Sequence, residues 1–199
     1  MSFFCAGVNS SHKDVSETFS FAHPIGIGLV QSAINLTRYC LMNPSLDSIV
    51  FVGSAGSYDK NLKIGDICLS TSAFNIESCF IKGECYTPLA CHVALENLEL
   101  KSLEPLNLPK LQVNSSNYIT NIDSLNTAFI NANIALENME FFSVLSVAQS
   151  FNLPAFGIFG ITNYVGKDAF SEFRTNHASI KKLLESFVQK EILDKRKQH

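Results

Sequence analysis

The chain has 199 residues, 46% hydrophobic and 17% charged, with a formal net charge of -3 and a pI near 5.9. This is enough apolar material for one closed core, a single domain over residues 1–199, and it excludes a disordered or solvating polypeptide. It also excludes a basic field for nucleic acid: Arg38, Arg174 and Arg196 are scattered, and the terminal lysine cluster is diluted by Glu191 and Asp194.

Phe3 to Ala6 is a short apolar run that predicts a buried strand, followed by the polar stretch Ser10 to Glu17. Ala22 to Ile27 predicts a second strand, closed by Gly26 and Gly28. Leu29 to Leu41 has helical periodicity, with Val30, Ala33, Ile34 and Leu41 as its expected apolar face, and Asn43-Pro44-Ser45 stops it. Ser48 to Val52 predicts a strand ending at Gly53, and Gly53 to Gly56 is then expected as a Gly-rich loop. Ile67 to Phe74 and Ile76 to Ile81 read as extended, while Ala90 to Pro109 has no clear period.

Leu111 to Val113 predicts a strand entering the polar loop Asn114 to Asn117. Asp123 to Ala128 reads as a short helix and Ala132 to Leu136 as a strand. Asn138 to Phe151 predicts a helix broken by Asn152-Leu153-Pro154. Ala155 to Thr162 is apolar enough for a central strand, and His177 to Leu193 closes the chain as an amphipathic helix. Strands alternating with helices imply an α/β sandwich around a largely parallel or mixed sheet.

The six cysteines form no CxxC pair and read as small buried hydrophobes in a reducing compartment. The five histidines show no metal-ligand spacing, so no metal site is expected. No apolar run reaches the roughly 18 residues of a membrane span, and the N-terminus lacks signal-peptide character. A cytoplasmic protein is expected, with no membrane and no nucleic-acid partner.

Ligands in such sheets gather at the carboxyl ends of strands. Three such ends carry glycine or polar residues: Gly26-Ile27-Gly28, Gly53-Ser54-Ala55-Gly56-Ser57 and Gly160-Ile161-Thr162-Asn163. Glycines allow close backbone approach to a ligand, and tight turns explain them equally well. No Walker A, dinucleotide fingerprint or G-x-S-x-G elbow is present. Glu140, at the start of an apolar helix, suits either a helix-dipole contact or a clamp on vicinal sugar hydroxyls, and Asn138 suits a cap.

Three segments, in order, carry a resemblance: IGIGLVQSAINLTRYC, IVFVGSAGSYDKNLKIGDICLS and ENMEFFSVLSVAQSFNLPAFGIFGITNYVG. Together they resemble the nucleoside phosphorylase superfamily, which includes purine and uridine phosphorylases and the nucleosidases for methylthioadenosine, adenosylhomocysteine and futalosine. The resemblance implies a three-layer α/β/α sandwich around a central mixed β-sheet. It implies a purine (6-oxo-type) nucleoside as small-molecule partner, with cleavage of its N-ribosidic bond. Met139 would pack on the ribose and Glu140 would accept from its hydroxyls. Tyr118 would lie against the base, Asn163 would act catalytically on it, and Gly53, Ser54, Ala55 and Gly56 would lie near ribose and phosphate. No cofactor is implied beyond inorganic phosphate as co-substrate, and a homo-oligomer, a dimer first, is expected.

Two family features are replaced. Phe51 stands where hexameric phosphorylases carry a phosphate-binding arginine, and Gly7-Val8-Asn9-Ser10-Ser11 holds no water-activating glutamate, for which Asp14 and Glu17 are the candidate substitutes. Phosphorolysis is placed first, a futalosine-hydrolase-like reaction with water second, and a nucleoside-binding protein without turnover third.

Overall fold

The structure is a computed structural model that describes residues 1–7, 19–95 and 106–196. The expected Ser10–Glu17 loop, the stretch Val8–Ser11 and the acids Asp14 and Glu17 lie outside the described residues.

Strand β1 (Ser2–Cys5) pairs in parallel with β2 (His23–Pro24) and with the first half of β3 (Ile49–Ser57). Along its whole length β3 pairs in parallel with β9 (Ala155–Tyr164), and its last residues, Gly56 and Ser57, pair antiparallel with β8 (Leu136–Asn138). Strand β4 (Ile67–Ser70) runs antiparallel to β9. Strand β5 (Ser72–Phe74) joins β6 (His92–Ala94) and β7 (Val113–Ser115), and β7 joins β8. Thr71 alone separates β4 from β5, so β3, β8, β7, β5/β4 and β9 form a ring within one mixed sheet. Both β3 and β9 are almost entirely buried, which is why their sequences are continuous apolar runs without alternation.

Helices cover both faces, making the three-layer sandwich. On one face α1 (Gly28–Met42) packs on α4 (Phe141–Ser150), and α4 covers the sheet. Here Phe51 of β3 and Phe159 of β9 meet Phe141 of α4, with ring centroids 5.1–6.1 Å apart. Burying each such ring stabilises the fold by about 1.5–3 kcal/mol. On the other face α5 (Ala169–Val188) packs Ile180, Leu184 and Val188 against Val50, Val52, Phe156 and Ile158. Gly160 is required there, because a Cβ would fall 2.4 Å from Ile180.

Several expectations change. Gly53–Gly56 is not a loop, and the strand expected to end at Thr162 runs on; sheet pairing carries β3 to Ser57 and β9 to Tyr164. Helix α1 buries Gly28, Ser32, Leu36 and Cys40, while Val30, Ile34 and Leu41 face outward. The small side chains on the first face allow close packing on α4, which outweighs the more apolar second face. Ser78–Ile81 is a short helix, α2, and not extended chain. The final helix begins at Ala169, after Gly166 turns the chain at φ 152°, and passes into a π-helical turn, Gln189–Leu193. Short helices α3 (Asn126–Asn131) and α6 (Asp194–Arg196) complete the described elements. Of the cysteines, only Cys5, Cys40 and Cys68 are buried; Cys85 is exposed.

Candidate active site

Strand β1 pairs with β3 only as far as Phe51, and β8 pairs with it only from Gly56. Between those points β1 and β8 diverge from the same strand edge, the kind of switch point at which α/β sheets collect ligands. A cavity of about 160 Å³ lies here, lined by Ala6, Ser54, Gly56, Asn138, Glu140 and Asn163 among others.

Its sugar-clamp candidate is built from two helix starts. Gly28, at φ 79°, opens α1 and donates its N–H to Glu140 Oε1 at 2.9 Å. A Cβ on Gly28 would lie 2.8 Å from Asn117 Oδ1, which itself accepts from the Leu29 N–H at 2.9 Å. Asn138 holds the other side: its Nδ2 donates to Glu140 Oε2 at 3.0 Å and to the Ser54 carbonyl at 3.2 Å. Its Oδ1 accepts from the N–H groups of Glu140 and Phe141, closing the first turn of α4. Glu140, 3% exposed, thus accepts from a backbone N–H and a side-chain amide at the positive end of α1.

At the far end the β9 register shifts. Ala55 pairs with Ile161, but Gly56 pairs with Asn163, leaving Thr162 as an extra residue. The bulge re-aims the strand so that Thr162 and Asn163, which strict alternation would send to opposite faces, both line the cavity. The Thr162 hydroxyl donates to Asn163 Oδ1 at 2.8 Å. That fixes the amide orientation and makes Nδ2 its donor; Nδ2 also reaches the Tyr164 carbonyl at 3.2 Å.

Glu137 completes the polar wall. Its carboxylate accepts from the Tyr58 hydroxyl at 2.8 Å, the Thr120 hydroxyl at 2.6 Å and the Thr120 N–H at 3.0 Å. Burial, and then the neighbouring carboxylate, push the Tyr58 phenol above its ordinary value, so it remains a donor. Phe170, Phe173, Ile27 and Ile119 supply apolar walls.

Residues 18–93 match the sequence model of the phosphorylase superfamily. Over that segment the chain is similar to the phosphorylase superfamily. Its fold is similar to that of the Helicobacter pylori 5'-methylthioadenosine/S-adenosylhomocysteine nucleosidase, with a TM-score of 0.75 and 14% identity over 97% of each chain. The futalosine hydrolase of the same species has a TM-score of 0.69 and 17% identity, over 88% of this chain and 82% of that one. A Streptococcus pneumoniae MTA/SAH nucleosidase, solved with 8-aminoadenine, has a TM-score of 0.65 and 15% identity, over 82% and 78% of the chains.

The cavity brings together Met139, Glu140, Asn163, Ser54, Ala55 and Gly56. Gly53 lies in buried strand outside the lining residues. Tyr118 is 73% exposed and borders a neighbouring cavity of about 170 Å³, whereas the next residue, Ile119, borders both. Phe51 is fully buried among Phe141 and Phe159 and does not reach the cavity. Sequence reasoning missed Glu137 as a site residue. Its signal was the spacing of Glu137 and Glu140 across a strand-to-helix junction, which places two carboxylates at one strand end. Among the described residues no group of three or more His, Cys, Asp or Glu could hold a metal ion. No described helix is long and apolar enough to cross a membrane.

Proposed function

We propose that this chain is a nucleosidase that cleaves the N-ribosidic bond of a purine nucleoside with water. The observation that carries the reading is the pair of buried carboxylates, Glu137 and Glu140, in one cavity with the Asn163 amide. Bond cleavage leaves positive charge on the sugar and electron density on the departing base. Glu140, oriented by Gly28 and Asn138, accepts from the ribose hydroxyls and stabilises the cationic sugar. Met139 packs on the ribose. Asn163 donates to the base, favouring a 6-oxopurine that accepts at N7 and O6 without needing a proton from the protein.

Phosphorolysis is the weaker reading. A phosphate anion would meet carboxylates on the cavity wall, and the position of the expected arginine is a core phenylalanine. The nucleosidase and hydrolase names of the similar structures point the same way. A homodimer is proposed with it: the outward Val30, Ile34, Leu41 and Met42 of α1 form an apolar face suited to a second copy.

The test is incubation of purified protein with inosine, guanosine, methylthioadenosine or futalosine, with and without phosphate, following free base by chromatography. Release in both conditions is expected. Release only with phosphate would make it a phosphorylase. No release, with melting raised by a nucleoside, would make it a binding protein without turnover.

A further inference from the structure

Cys85 is exposed and Cys79 half-buried, whereas Cys5, Cys40 and Cys68 lie in the core. The segment Cys79-Phe80-Ile81-Lys82-Gly83-Glu84-Cys85 spans the end of the short helix α2. The Gly83 N–H donates to the Phe80 carbonyl at 2.9 Å, and the Glu84 N–H donates to the Cys79 carbonyl at 2.8 Å. With Gly83 at φ 73°, this is a left-handed helix end that folds the chain back over its last turn. The fold-back returns Cys85 to Cys79, and the Cys85 thiol donates a hydrogen bond to the Cys79 sulfur. That contact first, then desolvation and the neighbouring Cys79, Glu84 and Glu77, push the Cys85 thiol from 9.0 up to about 11. At neutral pH the two sulfurs are therefore in contact but slow to react.

We propose that Cys79 and Cys85 form a redox modification site, closing to a disulfide by exchange with a low-molecular-weight disulfide. The exposed Cys85 attacks one sulfur of that reagent, forming a mixed disulfide and releasing one thiol, which takes the Cys85 proton. Cys79 then attacks Cys85 Sγ, forming the protein disulfide and releasing the second thiol with the Cys79 proton. Two cysteine sulfurs are oxidised, and the reagent's disulfide is reduced to two thiols. The turn already holds the partners together, so closure needs little backbone movement. Glu77, immediately before α2, accepts from the Ser116 hydroxyl, 3.1 Å from each carboxylate oxygen, and Ser116 Oγ accepts from the Tyr118 N–H. The disulfide thus staples a turn anchored on the segment 116–119, whose Ile119 lines the candidate active site.

The test incubates reduced protein at about pH 8 with bis(2-hydroxyethyl) disulfide, an uncharged reagent that Glu77 and Glu84 do not repel. Remaining thiols are blocked with N-ethylmaleimide, and the protein is digested with trypsin without reductant. Trypsin cuts after Lys82, between the two cysteines, so a Cys79–Cys85 bond keeps the flanking peptides joined until dithiothreitol separates them. Wild type is expected to give the joined pair, which is lost in Cys79→Ser and in Cys85→Ser. Cys79→Ser should instead retain one hydroxyethylthio group on Cys85, because the thiol that would displace it is gone. Joined peptides that persist in Cys79→Ser would assign the bond to another cysteine and overturn the proposal. A stable mixed disulfide on wild-type Cys85, or no reaction of wild type, would overturn it as well.

Discussion

The backbone N–H of Gly28 donates to Oε1 of Glu140 at 2.9 Å, joining residues 112 positions apart. One contact therefore satisfies an otherwise open donor at the start of α1 and aims the proposed sugar-binding carboxylate. Glu140→Ala should lower kcat/KM for the preferred nucleoside by about 100-fold, as expected for lost hydrogen bonds to a charged group. It should also lower stability by about 1 kcal/mol, because the helix start loses its acceptor. Steady-state kinetics and a urea melt measure the two separately. Full activity in the folded variant would remove Glu140 from the ribose site.

Gly56 has ordinary strand geometry, so alanine there is tolerated by the backbone. The added methyl is the difficulty, since it would fall 2.9 Å from Asn163 Nδ2 and 3.3 Å from Val165 Cγ2. Gly56→Ala is expected to displace the Asn163 amide and lower kcat/KM by about 10- to 100-fold. Its melting temperature should stay close to wild type. Unchanged kinetics would show that Asn163 does not need its present position.

The strands and helices that pack the core were legible because burial on both faces leaves apolar runs, as at Ser48–Val52 and Ala155–Thr162. Where those strands ended was not legible. Glycine and small polar residues mark loops in isolation, yet Gly53–Gly56 and Gly160–Asn163 are held in strand by their mutual pairing. The buried face of α1 was also misread, because side-chain hydropathy says nothing about how closely Ser32 and Cys40 let α4 approach. Met139, Glu140 and Asn163 were reachable through the resemblance. Glu137 lay outside the resemblance: its spacing from Glu140 hints at paired carboxylates, but its inward orientation comes from antiparallel pairing with Gly56, far away in the chain.

Phe51 offers a sharp test of the reading against phosphate. Its ring is fully buried, 5.8 Å from Phe159 and 6.1 Å from Phe141 between centroids. Restoring an arginine at this position would therefore bury an unpaired guanidinium in the core. Phe51→Arg should cost about 3–5 kcal/mol or more, a large share of a typical domain's stability. Low soluble yield and early thermal melting are expected, while Phe51→Leu should stay folded and active. A folded arginine variant with phosphate-stimulated base release would show that the position does reach the ligand.

Alkaline pH should weaken the fold. Burial, and then Asp66 nearby, push the Cys68 thiol from 9.0 up to about 12. The Tyr58 phenol is raised in the same sense from 10.0 by burial and by Glu137. Both groups hold their protons longer in the folded state than in the unfolded chain. Above about pH 9 the unfolded chain binds fewer protons than the folded one, so stability falls as pH rises. The Cys68 contribution is complete below pH 9 and lost progressively towards pH 12. Urea midpoints measured from pH 8 to pH 10.5 should decline, and Cys68→Ala should decline less steeply from a lower starting stability. Iodoacetamide at pH 8 should label the exposed Cys85 well before the buried Cys68. Equal slopes for the two proteins would mean that the Cys68 thiol does not govern the alkaline loss.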